Sequence, residues 1–365
     1  MKIHKIIIIF MVVFCLSVQT NAQDLADKQS QMWGAETLDE GRSDNAKALM
    51  NDQDFSENPN FFHSVISMFQ DAVLKNERNM ASAIATSAQI LLIVVVCQFC
   101  VSICGERAKS TVLITGVLAI VASCTSDLKT MIGLGRQTVD EIMDYSSLLL
   151  PVMVSASTAT GSLTGANSVY VLTTVFSNLL IRFCKAILIP AIYAYLVLAL
   201  TDAAVQQERL KKIRELVGWG VEKGLKTVMY LFVGFLSITG MLTSAADTAA
   251  LKAAKATISG TVPVVGGIIS GAADTFFSSA VVLKNTIGTF GMLAIFATFL
   301  IPFVNMGVSY LLFKITAALG GILGSKLCGF LDSISVVLGY LLAMVACCVT
   351  VSIISCCYFI RAVHV

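Results

Sequence analysis

From residue 81 onward the chain alternates long apolar runs with short charged breaks. About 20 apolar residues in a row are enough to cross a bilayer as one helix. Runs at 81–104, 111–126, 168–200, 227–245, 286–304, 306–324 and 333–360 predict about seven crossings. The run at 168–200 carries Arg182 and Lys185 midway and Pro190 after them, so it reads either as one long kinked span or as a broken pair. Between the runs, polar segments keep apolar residues at helical spacing. Val65, Ile66, Phe69 and Val73 do so in 61–75, and Leu128, Ile132, Val139 and Ile142 in 127–147. Leu210, Ile213, Val217, Val221 and Leu225 do so in 206–226. These segments predict amphipathic interfacial helices. The expected fold is an all-α polytopic membrane protein.

The first 80 residues break this pattern. Lys2 and Lys5 precede an apolar run from Ile6 to Val18, and Thr20-Asn21-Ala22 follows. A small residue closing a short apolar run is the mark of a cleaved secretory signal, expected at 1–22. The other reading is an uncleaved anchor helix. Residues 23–80 are then exported, acidic and partly flexible, and the multi-span membrane domain covers 81–365. Over 23–81 there are eleven Asp and Glu against five Lys and Arg. The densest positive charge, Arg209, Lys211, Lys212, Arg214, Lys223 and Lys226, falls in 206–226 and belongs in the cytoplasm by the positive-inside rule. Seven crossings from an exocytoplasmic N-terminus leave a cytoplasmic C-terminus, in keeping with Arg361.

The stretch 262–285 does not read as a simple membrane helix. Pro263 lacks a backbone donor, and Gly266, Gly267 and Gly271 weaken a helix. Asp274 and Lys284 bring charge into apolar company. Broken backbone at membrane depth survives where protein or a water-filled cavity surrounds it. The stretch also takes part in a spacing pattern. Pro151 and Pro263 are 112 residues apart, as are Pro190 and Pro302. Laid over each other, 151–192 and 263–304 match at seven positions, including Pro-Val at the start and Leu-Ile-Pro at the end. This suggests a duplicated unit of parallel topology, 111–192 and 223–304.

Composition adds limits. The chain is 56% hydrophobic and 13% charged, with a net charge of +2 and a mean hydropathy of +0.81. No basic run with interleaved aromatics is present, so nucleic acid is not an expected partner. Of eleven cysteines, nearly all lie in apolar runs, where Cys acts as a small hydrophobe, and the exported segment has none. Cys97, Cys100 and Cys104 share a helix face, but a metal site there lacks polar support. No nucleotide-binding, zinc-protease or nucleophile-elbow motif occurs, and the three His are isolated. No catalytic, cofactor or metal residues are expected. The chemistry that remains is charge in apolar segments: Arg182, Lys185, Asp274, Lys284, Lys314 and Asp332. Such groups mark pathways or interior contacts. Lys185 and Lys314 also suit snorkelling from helix ends.

Residues 262–288, with Val-Pro-Val-Val-Gly-Gly, Ala-Ala-Asp-Thr and Leu-Lys-Asn-Thr-Ile-Gly in order, resemble the stage III sporulation protein AE family. Leu149-Leu150-Pro151-Val152-Met153 and Phe232-Val233-Gly234-Phe235-Leu236-Ser237-Ile238 resemble it too. The resemblance covers about 80–365. It implies a non-enzymatic membrane component of a channel or feeding tube between mother cell and forespore. Its implied partners are the other AA-to-AH products and the forespore Q protein. Its implied place is the mother-cell membrane around the forespore. No catalytic residues carry over. The candidate structural or pathway residues are Pro263, Gly266, Gly267, Gly271, Asp274, Lys284, Asn285, Pro151, Pro190 and Pro302. The alternative is a secondary transporter whose pathway is lined by Asp274 and Lys284.

Overall fold

The computed structural model describes residues 35–50, 61–104, 106–159, 165–205, 208–243, 266–322 and 327–362, and from 266 to 286 the backbone alone. The expected signal peptide at 1–22 therefore lies outside the described residues, as does Pro263. Within them the chain is helical, with no strand. Two short helices, α1 (Ala35–Glu40) and α2 (Asp44–Met50), precede α3 (Phe61–Lys75) and α4 (Glu77–Ile103). Then come α5 (Glu106–Ala159), α6 (Gly165–Phe183), a π turn (Cys184–Leu188) and α7 (Ile189–Val205). The chain continues with α8 (Glu208–Thr243), α9 (Gly266–Ile322) and α10 (Cys328–Ala362).

Five stretches of these helices are long and apolar enough to cross a membrane: Asn79–Ile103, Lys109–Ala156, Tyr170–Ala203, Ile287–Ile322 and Gly329–Cys357. The sequence pattern divided the chain more finely. The expected span at 111–126 and the polar helix at 127–147 are one helix, α5. The polar segment does not end it because Leu128, Ile132, Val139 and Ile142 continue its buried face. The expected spans 286–304 and 306–324 are likewise one helix, α9. Pro302 lies inside α9 and is buried. One missing donor does not stop a helix held along its length by neighbours. The span expected at 227–245 forms the second half of α8 as far as Thr243, and 244–245 lie outside the described residues.

The run at 168–200 is one continuous helical path, and the π turn shows how it passes Pro190. Proline cannot donate to the carbonyl four residues back, Ala186, and its ring presses on that carbonyl. The wider turn at Cys184–Leu188 opens the helix where that conflict falls.

Neighbouring helices run antiparallel. Leu149 of α5 packs on Gly291 of α9, and Gly135 lies near Met306. Asn178 of α6 reaches Ser147 of α5, at 3.3 Å. Tyr195 of α7 stacks edge-on to Tyr340 of α10, with ring centres 5.5 Å apart. Phe176 of α6 stacks on Phe235 of α8 at 4.3 Å. The α9–α10 pair holds the densest core, with Leu293, Ala294, Ala297 and Met306 of α9 and Ile334, Leu338, Leu341 and Val345 of α10 all fully buried.

The acidic N-terminal segment is not a loose lead-in where it is described. Leu38, Leu49 and Met50 are buried. The Ser43 hydroxyl accepts from the Ala46 amide at 3.2 Å, capping α2, and lies 2.8 Å from the Thr298 hydroxyl of α9. Arg42 sits over the Phe290 ring, 5.6 Å from its centre. At this same end of the bundle Ser355 of α10 meets Ser177 at 2.6 Å, and Cys357 meets Met292 at 3.2 Å. The C-terminal end of α10 thus lies beside α1 and α2. The chain ends themselves, 1–34 and 363–365, lie outside the described residues.

The expected duplication is matched in direction only. The α5 and α8 helices run one way, and α6–α7 and α9 run the other. The π turn before Pro190 has no counterpart before Pro302. Residues 244–265 of the second unit lie outside the described residues.

Two outcomes test this packing. A Cβ at Gly291 would stand 2.7 Å from both methyls of the fully buried Leu149. Gly291→Ala is expected to destabilise by about 1–3 kcal/mol, and adding Leu149→Ala should recover part of the strain, read as a non-additive thermal-unfolding cycle. In a cysteine-free background, Glu40→Cys and Arg361→Cys should react with a membrane-impermeant maleimide from one side, and Lys212→Cys from the other.

Candidate functional site

The residues singled out at 266–285 are the start of α9. Gly266, Gly267, Gly271, Asp274, Lys284 and Asn285 all lie on helical backbone, so the expected break is absent from residue 266 on. Pro263 lies outside the described residues. Each Gly weakens a helix by about 1 kcal/mol, a cost that tertiary packing of a long helix overrides. The side chains of Asp274 and Lys284 lie outside the described residues. Of the other prolines, Pro151 and Pro190 are exposed and Pro302 is buried.

The charges elsewhere in the bundle are arranged in pairs between helices. Lys185, in the π turn, donates to Asp140 of α5 across an ion pair whose side chains are 30% and 33% exposed. Arg214 of α8 pairs with Asp202 of α7 at 3.0 Å, at 16% and 15% exposure, and donates to the Ser333 hydroxyl of α10 at 3.0 Å. Lys314 of α9 pairs with Asp332 of α10, both about half exposed. Lys185 is therefore not a snorkelling residue. It lies mid-helix and is held by a carboxylate. Lys314, near the end of α9, does reach outward. On the exposed face of α8, the hydrogen bond from Lys226 holds Glu222 below the usual carboxylate range, and Glu222 in turn raises Lys226.

Beside the π turn is an open groove of about 720 Å³ lined by Arg136, Met143, Arg182, Lys185, Pro190 and Tyr193. Arg136 and Arg182 have no ion-pair partner among the described residues. The lining is thus cationic, with Lys185 answered by Asp140. Exposed Val175 and Leu179 lie on α6 to one side of it, and exposed Val197 on α7 to the other.

Sequence reading found Arg182 and Lys185 but missed Arg136, Asp140 and Asp202. The first two were assigned to a separate interfacial helix. The signal against that was the unbroken helical period of apolar residues from 111 to 153. The Asp202–Arg214 pair forms across the α7–α8 connection and had no marker beyond opposite charge twelve residues apart.

No three metal-ligating side chains cluster among the described residues, and nine cysteines whose side chains are described, from Cys97 to Cys357, are free thiols. The described geometry brings no nucleophile to a general base. What it presents is a helical bundle with inter-helix ion pairs and one cationic groove.

These features define an all-helical, multi-span membrane protein. Residues 45–362 match the Stage III sporulation protein AE family, and the chain belongs to it. It is 22% identical over 230 residues to Stage III sporulation protein AE of Bacillus subtilis (strain 168), a match that covers 63% of this chain. The match spans 58% of that relative's length. No solved structure matches the chain.

Removing one partner of an enclosed pair leaves the other charge stranded. Arg214→Met, at the least exposed pair, is expected to lower stability by about 3 kcal/mol. Lys185→Met should cost less, and Lys314→Met least, because solvent screens it. Thermal unfolding in detergent gives the order. Combining Asp140→Asn with Lys185→Met should cost less than the sum of the two.

Proposed function

We propose that this chain is a non-enzymatic membrane component of a transenvelope channel or secretion complex, the feeding tube, between mother cell and forespore during endospore formation. The observation that carries this reading is the family match over 45–362, most of the helical bundle. The form of the bundle supports it. The α5 and α9 helices are 54 and 57 residues long. At 1.5 Å per residue each exceeds 80 Å, far more than the roughly 30 Å of a bilayer core. Their ends extend past the hydrocarbon and offer surface to neighbouring proteins.

The protein sits in the mother-cell membrane that surrounds the forespore, with 206–226 toward the mother-cell cytoplasm. In that orientation α1, α2 and the end of α10 face the intermembrane space. Its partners are the other stage III AA-to-AH proteins and the forespore Q protein.

Affinity purification from sporulating cells is expected to recover those partners with the chain, and a fluorescent fusion should ring the engulfed forespore. A purified chain that by itself moves a specific solute into vesicles, and brings down none of the partners, would sink the reading in favour of a transporter.

A further inference from the structure

A cavity of about 300 Å³ lies between α4, α5 and α9. All three helices contain stretches apolar enough to cross a membrane, and its wall mixes apolar Ala83, Met131, Leu134 and Phe313 with a set of polar side chains. Thr86 and Ser87 come from α4, Asp127 and Thr130 from α5, and Asn305 and Ser309 from α9. Two observations show that this wall is incomplete as it stands. Ser87 is only 7% exposed, and its hydroxyl has no hydrogen-bond partner among the described residues. Asp127, half-buried, has no cationic partner among them, whereas Asp140, Asp202 and Asp332 each have one. No Lys, Arg or His lines the cavity.

A partly buried carboxylate set between apolar helices is stabilised by a counter-charge. The surrounding donors are hydroxyl and amide oxygens, which suit a hard cation. With a single carboxylate, a cation of charge +1 neutralises the site. A divalent ion would leave an excess charge among apolar helices. At this size the cavity also has room for a cation and several waters. We propose that it is a binding site for a monovalent cation of Na⁺ or K⁺ size. The Asp127 carboxylate holds the ion, and oxygens of Thr86, Ser87, Thr130, Asn305 and Ser309 complete its shell. This assignment stands apart from the channel reading, since a bound ion fits a structural component as well as a conducting one.

The test uses the full chain in detergent micelles. NaCl or KCl is titrated against choline chloride at constant ionic strength, and the thermal unfolding midpoint is read. Ligand binding to the folded state predicts a rise with Na⁺ or K⁺ that choline does not give. Asp127→Asn should lose the rise. Ser87→Ala, which removes one oxygen ligand, should need about tenfold more cation for the same effect. If Asp127→Asn cannot be purified folded, the Ser87→Ala titration decides. Superimposable curves in Na⁺, K⁺ and choline, or a full response kept by Asp127→Asn, overturn the proposal. So does an unshifted Ser87→Ala titration where that variant alone can be measured.

Discussion

A peptide group in hydrocarbon has no water to bond to, so each one must be satisfied within its own helix. The rest of this structure follows from that requirement. It rules out a loop where the sequence merely turns polar, as at 127–147, and it keeps α9 helical through Pro302. Where a proline does disturb the ladder strongly, before Pro190, the response is a local widening of the helix, not a break. Apolar side chains then decide which face of each rod turns inward, and neighbouring helices pack antiparallel.

Once the backbone is satisfied, charge is the next constraint. Ionisable groups within the bundle are costly unless something answers them. Most of the answers here join different helices: Asp140 of α5 with Lys185 of the π turn, and Asp202 of α7 with Arg214 of α8. Each pair fixes the relative height of two helices, which apolar contact alone sets only loosely. Arg214 does this for three elements at once through its bond to Ser333. The groove at Arg136 and Arg182 and the cavity at Asp127 are the places where the internal accounting stays open, one positive and one negative.

Much of the fold was legible in the residues. Helical class, membrane character and the positions of apolar runs followed from composition and periodicity, because lipid allows so few alternatives. Helix ends were less legible. At 127–147 polarity was read as a change of location, although Leu128, Ile132, Val139 and Ile142 kept the period that carries α5 onward. At 305 a span length was imposed on a helix that is simply longer than a bilayer. The site was least legible. Asp140 and Lys185 are 45 residues apart and meet only through antiparallel packing. Asp127 gains its meaning from residues on two other helices. Periodicity says which face a residue lies on, not which residue of another helix stands at the same height.

The π turn also bears on how this chain can vary. A π turn holds one residue more than an α turn, so the loop of backbone at 184–188 behaves as an absorbed insertion. A homologue shorter by one residue there could run as unbroken α-helix and still present Ile192, Tyr195 and Ala199 to the core. The surplus residue is what gives the helix its wider bore beside Lys185. Length differences of a single residue in this membrane helix are therefore compatible with one and the same bundle, which is unusual for a buried segment and possible only where such a turn exists.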